Sequence, residues 1–405
     1  MPAGEQPSVR VLVCSQGFPR HPADHHASFV LDHARALTAS GAEVHVSCPA
    51  GPGLPTTDAY PASDRHGEPA TVAVRRFRYA PRRWETLAYS GGMHHRARGA
   101  GALLLPLFLL GSVVDVVRSA RDADVIHAHW WLPSGVISVI AGRITGTPVV
   151  VQVHGTDAAM AQGPLRWFAR WVLRRADAVI AVSEDLAGWV RGVAGVDATV
   201  LPMPLRPALA DGLHGEITPP PPDGPVLAVG RLVPEKGFDI LIRAAAKAAV
   251  PVVIVGDGGQ EPTLRALADD LGADVSFAGP VAPDELGPYY RAARIVAVPS
   301  HREGFGLVAA EALASGRAVV ASSVGGLAQV VADGVTGRLV PAGDVAALAD
   351  ALVTTDAALG ADGPASIAWI APERIGPASI EVYRNVLDAQ LAERLRGRGD
   401  VGTWR

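Results

Sequence analysis

The sequence predicts an α/β protein with two domains, each built on a parallel β-sheet of the Rossmann type, and three observations support this. A chain of 405 residues allows two separate hydrophobic cores. Short apolar segments alternate with helical segments in both halves, as in parallel sheets covered by helices. Between the halves, residues 202–224 are rich in proline, which is typical of an extended linker. The predicted divisions are a first domain at 1–204, a linker at 205–224, a second domain at 225–376 and a final helix at 377–395.

Composition and charge exclude several classes of protein. Hydrophobic residues make up 49% of the chain and charged residues 19%, which indicates a globular protein rather than a disordered one. The net charge of −4 gives no bias toward nucleic acid, so no nucleic-acid partner is predicted. The early apolar run at 9–14 is too short for a signal peptide, and we expect a cytoplasmic protein. Cys14 and Cys48 are predicted to be buried free thiols, with a disulfide between neighbouring strands as the alternative.

The first domain begins with a βαβ unit. Residues 9–14 are predicted to form a strand, residues 29–40 a helix that ends at Gly41, and residues 43–48 the next strand. Residues 51–69 are rich in Pro, Gly, Asp and Thr, which indicates a long loop before an edge strand at 71–79. The rest of the domain is predicted to contain an amphipathic helix at 167–175 and strands at 124–128, 147–153, 178–182 and 199–201.

A basic and apolar segment at 75–114 has two interpretations. Seven arginines and one acid, Glu85, precede an apolar run at 103–110, which is expected to fall short of the length that crosses a bilayer. One interpretation is a helix packed within the first domain. The other is a surface that makes peripheral contact with an anionic membrane or a lipid-linked acceptor.

The second domain repeats the alternation of strands and helices. Strands are predicted at 226–229, 252–255, 275–277, 294–299 and 318–321. Helices are predicted at 238–249, 262–271, 284–293 and 307–315, followed by the final helix. Because ligands of open parallel sheets lie beyond the carboxyl ends of the strands, the residues just after these strands are the candidates for a functional site.

The turn at 300–312, S-H-R-E-G-F-G-L-V-A-A-E-A, has the features of a phosphate site. A strand ends, a glycine-bracketed loop follows and a helix begins, so unpaired backbone N–H groups and the positive end of a helix dipole face a ligand. Gly304 and Gly306 allow close approach to the backbone. Glu303 and Glu311 would lie about 12 Å apart if the residues between them were helical, so each is expected to contact a different part of a long ligand.

Two cations and one histidine follow other strands. Arg231 and Lys236 come directly after the first strand of the second domain, where they could neutralise a departing diphosphate; the alternative is a pair of solvated surface cations. His154 ends the strand at 147–153 in V-Q-V-H-G-T-D, where a purely structural role is the alternative to a functional one.

The spacing E-x7-E at Glu303 and Glu311, together with G-R-L-x-x-E-K-G at 230–237, resembles the retaining glycosyltransferases of the GT-B fold, the family called group 1 or GT4. The resemblance implies two Rossmann-like domains facing across a cleft, with the C-terminal helix crossing back to the first domain. It also implies that Glu303 contacts the donor sugar, Glu311 the nucleotide ribose and His154 the 6-hydroxyl of the transferred sugar. The remaining implied donor-binding residues are Arg231, Lys236, Gly304, Phe305, Gly306, Leu307 and Val308.

The sequence indicates the acceptor pocket and a possible metal site less clearly than the donor site. The candidates for the acceptor pocket are Phe18, Arg20, His129 and Trp130, with Asp157 placed to help hold His154. Clustered histidines in the first loop and at 127–129 lack a Cys or acid that would complete a ligand set, so no metal is predicted. The D-A-D at 122–124 precedes its strand, and G-D-G-G at 256–259 is an incomplete dinucleotide motif, so no cofactor is predicted either.

The predicted function is a metal-independent, retaining transfer of a sugar from a nucleoside diphosphate donor to a hydroxyl, by front-face attack as the resemblance implies. The preferred donors are UDP-N-acetylglucosamine and UDP-glucose, ahead of GDP-mannose. The acceptor could be a lipid-linked intermediate, a polysaccharide or a small molecule such as an aminocyclitol. The alternatives are a sugar phosphorylase, a nucleotide-sugar epimerase and a non-catalytic subunit that binds nucleotide sugars.

Overall fold

The computed structural model describes residues 8–21, 24–88, 99–210, 213 and 217–399. Residues 89–98 of the basic segment, and residues 211–212 and 214–216 of the predicted linker, lie outside the described residues. Two β-sheets organise the structure, one before residue 201 and one after residue 225. The predicted pair of parallel α/β sheets is confirmed.

The first sheet has eight strands in the order β3-β4-β2-β1-β5-β6-β7-β8. All neighbours are parallel except β3 and β4, which are antiparallel. The central strands are wholly buried because helices cover both faces, which explains their continuous apolar runs. The strands are β1 (Arg10–Cys14), β2 (Glu43–Pro49), β3 (Thr57–Ser63), β4 (Pro69–Phe77), β5 (Val125–His129), β6 (Val149–Val153), β7 (Ala178–Ala181) and β8 (Thr199–Val200).

The helices of the first domain connect these strands. Ser183 caps one of them by accepting a hydrogen bond from the backbone N–H of Leu186, as its position before an acidic first turn suggests. The helices are α1 (Ser28–Ala39), α2 (Leu105–Ala120), α3 (Val136–Thr145), α4 (Thr156–Met160), α5 (Pro164–Leu173), α6 (Glu184–Ala194) and α7 (Pro207–Ala210).

The second sheet has six parallel strands in the order β11-β10-β9-β12-β13-β14. The strands are β9 (Val226–Val229), β10 (Val252–Val255), β11 (Val275–Gly279), β12 (Ile295–Val298), β13 (Val319–Ser322) and β14 (Gly337–Val340). The helices are α8 (Phe238–Ala248), α9 (Glu261–Leu271), α10 (Gly287–Ala292), α11 (Leu307–Ala314), α12 (Leu327–Val330), α13 (Val345–Thr354), α14 (Gly363–Ile367) and α15 (Pro372–Gly399).

The last helix, α15, returns to the first domain. Its buried residues Ile375, Ile380 and Tyr383 belong to the same hydrophobic core as Val30 and Leu37 of α1. Burial of these side chains away from water favours this position of the helix. The predicted crossing-back of the C-terminal helix is confirmed.

Two local predictions are wrong. The predicted loop at 51–69 contains β3, so the edge of the sheet is β3 and not the strand predicted at 71–79. Pro61 within β3 hides the strand signal, because proline is tolerated in a strand mainly at an edge.

The cysteines agree with prediction, since both are buried free thiols.

The helix that contains the apolar run at 103–110 is longer than predicted. It belongs to a continuous helical segment, Gly101–Ala120, which is long and apolar enough to cross a membrane by length and composition alone. The end of this segment packs against the first sheet, where buried Asp115 pairs with Arg75 at 2.7 Å and accepts a hydrogen bond from Ser47. Its beginning is exposed, with Leu103 78% and Leu110 62% accessible.

Candidate active site

The start of α11 presents unpaired backbone N–H groups to the cleft. Gly306, which precedes the helix, has a φ of 106°, and no side chain caps the helix. A Cβ at Gly306 would press on the Leu327 side chain, so glycine is needed here for space as well as for conformation. The free N–H groups and the helix dipole favour an anion such as a phosphate at this point.

Lys236 and Glu303 meet beside this helix start. Lys236 Nζ donates to Glu303 Oε2 at 2.6 Å, and Ser300 Oγ contacts the same oxygen at 3.2 Å. Lys236, Ser300 and Val308 also line one small cavity. The structure therefore brings together the cation, the carboxylate and the helix start that the sequence singled out.

Arg231 lies close enough to the first loop of the N-terminal domain for its charge to act on His26 there. Its side chain is exposed, and no described residue pairs with it. Burial lowers the pKa of His26, and the Arg231 charge contributes to lowering it. Arg231 therefore faces the first loop of the N-terminal domain, across the cleft from its own domain, where it is available to a ligand.

The loop after β6 is held in place by Asp157. One oxygen of this carboxylate accepts hydrogen bonds from the backbone N–H groups of His154, Gly155 and Ala158, each at 3.0 Å, and the other accepts from Trp131 N at 3.1 Å. Burial raises the pKa of Asp157 to about 6 despite these bonds. Asp157 is thus a structural organiser of the His154 loop, as predicted, and does not itself reach an acceptor.

The two domains contact each other across the cleft at glycines. A Cβ at Gly304 would collide with the His154 carbonyl oxygen, and a Cβ at Gly155 would lie 2.9 Å from Gly304 Cα. A second glycine pair supports the donor loop from behind, because a Cβ at Gly325 or Gly326 would collide with the backbone of Glu303 or Phe305. Only glycine permits this approach of one backbone to another.

Glu311 is buried and already paired. Tyr290 OH donates to its Oε2 at 2.8 Å, and Arg206 Nη2 lies 3.4 Å from its Oε1. Arg206 also lies 3.8 Å from Asp32 of α1, so this arginine connects the two domains. Burial raises the pKa of Asp32 to about 6. Sequence reasoning missed Arg206 and Tyr290, because no local motif marks them.

Among the predicted acceptor residues, Arg20 is partly exposed, whereas Trp130 is buried with 8% of its surface accessible. The Trp130 ring lies 5.1 Å from the His154 ring, and Arg20 pairs with Asp24 at 2.6 Å. Phe18 requires a correction, because its side chain is wholly buried edge-to-face against Tyr60 and cannot line a pocket. His129 is also buried, behind His154, with its Nδ1 3.0 Å from His154 Nε2.

The donor-side residues Phe305, Leu307 and Val308 lie at the helix start as predicted. The Phe305 side chain is buried edge-to-face against Trp369, so only its backbone faces the cleft region. Among the described residues, His33, His127 and His129 form one group whose ring nitrogens could surround a metal, all lying within 4.8 Å of one another. His33, which completes this group, was not identified from the sequence.

Comparison with known proteins identifies the family. The model of the group 1 glycosyl transferases matches residues 224–355, and the model of the glycosyl transferase 4-like domain matches residues 26–205. The D-inositol 3-phosphate glycosyltransferase of Mycobacterium bovis is 34% identical over 326 residues, covering 71% of this chain and 67% of that enzyme. The chain belongs to the group 1 (GT4) glycosyltransferases.

Other relatives agree with this family. The D-inositol 3-phosphate glycosyltransferase of Acidothermus cellulolyticus is 40% identical over 287 residues, which are 61% of this chain. The match spans 64% of that relative's own length.

Solved structures show the same GT-B fold. Sucrose-phosphate synthase from Thermosynechococcus elongatus superposes with a TM-score of 0.75 at 24% identity, covering 95% of this chain and all of that chain. HepE from Anabaena, solved in complex with UDP-glucose, gives a TM-score of 0.65 at 22% identity, with coverage of 93% and 99%. At these identities the likeness concerns the fold.

Proposed function

We propose that this GT4 enzyme transfers a sugar from a nucleoside diphosphate to a hydroxyl group with retention of configuration. The proposal rests on the observation that Lys236, Glu303 and the uncapped start of α11 lie together in one cleft. Lys236 and the helix N-terminus would stabilise the negative charge that develops on the departing diphosphate. Arg231, exposed and unpaired within the described structure, would supply a second positive charge.

The preferred donor is a UDP-sugar. HepE, which shares the fold, was solved with UDP and with UDP-glucose, and this supports the preference for a UDP-sugar over GDP-mannose. The buried Glu311 would bind the nucleotide ribose through its carboxylate, in exchange for part of its contact with Arg206 or Tyr290. A thermal-shift screen with UDP-, GDP-, ADP- and dTDP-sugars tests this, because the stabilising nucleotide raises the melting temperature with occupancy.

For the acceptor, the names of the curated relatives favour a phosphorylated cyclitol over a polysaccharide. Those relatives are named D-inositol 3-phosphate glycosyltransferases, and the partly exposed Arg20 of the first loop, which pairs with Asp24, would also contact a phosphate group. An assay with UDP-N-acetylglucosamine and inositol phosphate, with proton NMR of the anomeric product, tests both acceptor and stereochemistry. A β-linked product from an α-linked donor would contradict retention.

We propose a front-face mechanism, and the contacts of Glu303 support it. The Glu303 carboxylate is held by Lys236 and Ser300, which supports a positioning role for it rather than that of a covalent nucleophile. A phosphate oxygen of the donor would then accept the acceptor proton as the sugar leaves. Lys236 and the start of α11 would supply the charge stabilisation that other enzymes obtain from a metal ion, so we expect full activity in the presence of EDTA. A strong loss of activity in EDTA would overturn the metal-independent form of the mechanism.

A peripheral membrane contact is proposed for the exposed start of the Gly101–Ala120 helix. Leu103, Leu107, Leu110 and Val114 recur at spacings of four, three and four, which places them on one helix face, and all are at least 37% accessible. On the far face, Phe108 packs 5.2 Å from Tyr79, and the turn that follows Tyr79 exposes Arg82, Arg83 and Trp84. These arginines have no acidic partner among the described residues. Together with the exposed leucines they form a surface that is suited to binding an anionic bilayer.

Sedimentation with phosphatidylglycerol vesicles tests this contact. The double variant Leu107→Ser, Leu110→Ser should lose binding by tenfold or more, and high salt should release the wild-type protein. Ile144→Ser is the matched control, because Ile144 is 61% accessible and lies in α3, outside the helix that carries the leucines. Unchanged vesicle binding, or a dimer that the double variant dissociates, would overturn the membrane proposal. Cytoplasmic location, at the inner face of the membrane, remains a prediction.

A further inference from the structure

A chain of hydrogen bonds connects the returning helix α15 to His154. Ser379 Oγ lies 3.0 Å from His33 Nε2, His33 Nδ1 lies 3.4 Å from His129 Nε2, and His129 Nδ1 lies 3.0 Å from His154 Nε2. We call these four residues the histidine chain. Its links join positions that are up to 346 residues apart in the sequence.

The nitrogen-to-nitrogen contacts between the histidines of this chain fit neutral rings, because each contact needs one unprotonated nitrogen as the acceptor. Burial lowers the pKa of His154 to about 3 and lowers the pKa of His33 and His129 well below the usual range. A neutral imidazole has one N–H donor and one unprotonated nitrogen that accepts. In a linear chain of such rings, the proton position on one ring dictates the proton position on the next.

Ser379 sets the direction of the whole chain. Its hydroxyl donates to the Ile375 carbonyl oxygen at 2.9 Å, so its oxygen is left to accept a hydrogen bond from His33 Nε2–H. The unprotonated His33 Nδ1 then accepts from His129 Nε2–H, and the unprotonated His129 Nδ1 accepts from His154 Nε2–H. This order leaves His154 Nδ1 without a proton.

The free nitrogen of His154 is the one that a substrate can reach. Ser379, His33 and His129 are at most 1% accessible, whereas His154 is partly exposed beside the inter-domain contact at Gly304. No hydrogen bond to a described residue engages His154 Nδ1. An unprotonated ring nitrogen at this position can accept a hydrogen bond from a hydroxyl group but cannot donate one.

We propose that Ser379 fixes the tautomer of His154 through His33 and His129, so that His154 presents a hydrogen-bond acceptor to a hydroxyl group of the substrate. The inference rests on the proposed function, since the hydroxyl belongs to the sugar or acceptor bound in the cleft. Ser379, His33 and His129 are positioning residues, because they act on the substrate only through His154.

A metal ion at His33, His127 and His129 is the competing arrangement. Each ring nitrogen of this trio already has a hydrogen-bonding partner. His127 Nε2 donates to Gln152 Oε1 at 3.0 Å, and His127 Nδ1 accepts from Tyr383 OH at 2.7 Å. A metal would have to break at least one link of the histidine chain and one of these bonds, so the observed contacts favour the chain.

The test is nitrogen NMR of the full chain with ¹⁵N-labelled histidine at pH 7.5, where the shifts of the two ring nitrogens report the tautomer. The wild-type spectrum should show His154 with a protonated Nε2 and an unprotonated Nδ1. Ser379→Ala removes the acceptor that orders the chain, and it should give a mixture of both tautomers. Tyr383→Phe is the matched control, because Tyr383 lies one turn further along α15 and bonds to His127, outside the chain. It should leave the His154 tautomer unchanged.

Kinetics separate this inference from the proposed function. Ser379→Ala should lower kcat by about tenfold with less than a twofold change in donor KM, Ser379→Thr should restore most of it, and Tyr383→Phe should have kcat near wild type. A protonated Nδ1 in the wild type, an unchanged tautomer in Ser379→Ala, or stoichiometric metal in the purified protein would overturn the inference. Absence of transfer from every donor would overturn the proposed function, while the NMR result would still decide the tautomer.

Discussion

Lys236 and Glu303 form a 2.6 Å ion pair between two strand–helix turns of the second domain. Both side chains are partly accessible, so the pair contributes little to stability, and its importance lies in placing a cation beside the start of α11.

Lys236→Ala should lower kcat/KM by about 100- to 1,000-fold, equivalent to about 3–4 kcal/mol of transition-state stabilisation. The variant loses the charge that opposes the leaving diphosphate, whereas its melting temperature should stay within about 2 °C of wild type. Initial rates with a UDP-sugar and a thermal melt provide the two measurements. Lys247→Ala, at an exposed position of α8, is the matched control and should be fully active. Near-normal turnover of Lys236→Ala would contradict the proposed role of Lys236 in stabilising the leaving diphosphate.

Gly304→Ala should block closure of the cleft. The new Cβ would collide with the His154 carbonyl oxygen, so the two domains could not meet at Gly155. We expect kcat to fall by at least 100-fold while nucleotide binding by calorimetry weakens less than tenfold, because the atoms that the new Cβ would meet all belong to the first domain. Gly188→Ala is the control, since a Cβ there meets nothing within 4 Å in the exposed part of α6. An active Gly304→Ala enzyme would show that catalysis does not need this contact.

Glu311→Ala should destabilise the protein by about 3–5 kcal/mol, as expected when one partner of a buried charge pair is removed. Arg206, which is 11% accessible, would keep only the more distant Asp32, and the buried Tyr290 hydroxyl would lose its acceptor. Urea unfolding measures the change. The control is Glu261→Ala, which breaks an exposed i,i+4 pair with Arg265 and should cost no more than about 0.5 kcal/mol. A loss below about 1 kcal/mol for Glu311→Ala would mean that the buried cluster is not coupled.

The sequence was sufficient to identify those functional residues that closely follow, along the chain, the strand that positions them. Arg231, Lys236, Glu303 and His154 each follow a buried strand by a few residues, so the pattern of strands was enough to find them. Arg206, which pairs with Glu311, and His33, which reaches His154 through His129, were missed for the opposite reason. Arg206 is 105 positions from Glu311 and His33 is 121 positions from His154, and only tertiary packing brings such residues together. The burial of Phe18 likewise depends on Tyr60 in β3, the strand that the sequence did not predict.

The free energy of unfolding should fall as the pH is lowered from 7.5 to 5.5. Below pH about 6.5 the unfolded chain binds protons at His33, His127, His129 and His154, whereas burial lowers their pKa in the folded protein, to about 4 for His127 and about 3 for His154. Asp32 and Asp157 act in the opposite direction, because burial raises their pKa to about 6 and the folded protein holds protons there that the unfolded chain releases. Near pH 5.5 the unfolded chain should therefore bind more protons than the folded protein, because these four histidines and His26, whose pKa burial also lowers, outnumber the two carboxylates.

Each extra proton that the unfolded chain binds contributes about 1.4 kcal/mol per pH unit to the slope of the free energy of unfolding against pH. Urea midpoints measured at half-unit intervals of pH give the slope. His127→Gln removes one of these buried histidines and should reduce the slope by up to about 1.4 kcal/mol per pH unit. Stability that stays constant from pH 7.5 to 5.5 would mean that the buried histidines accept protons without unfolding, and the neutral histidine chain would then lose its physical basis.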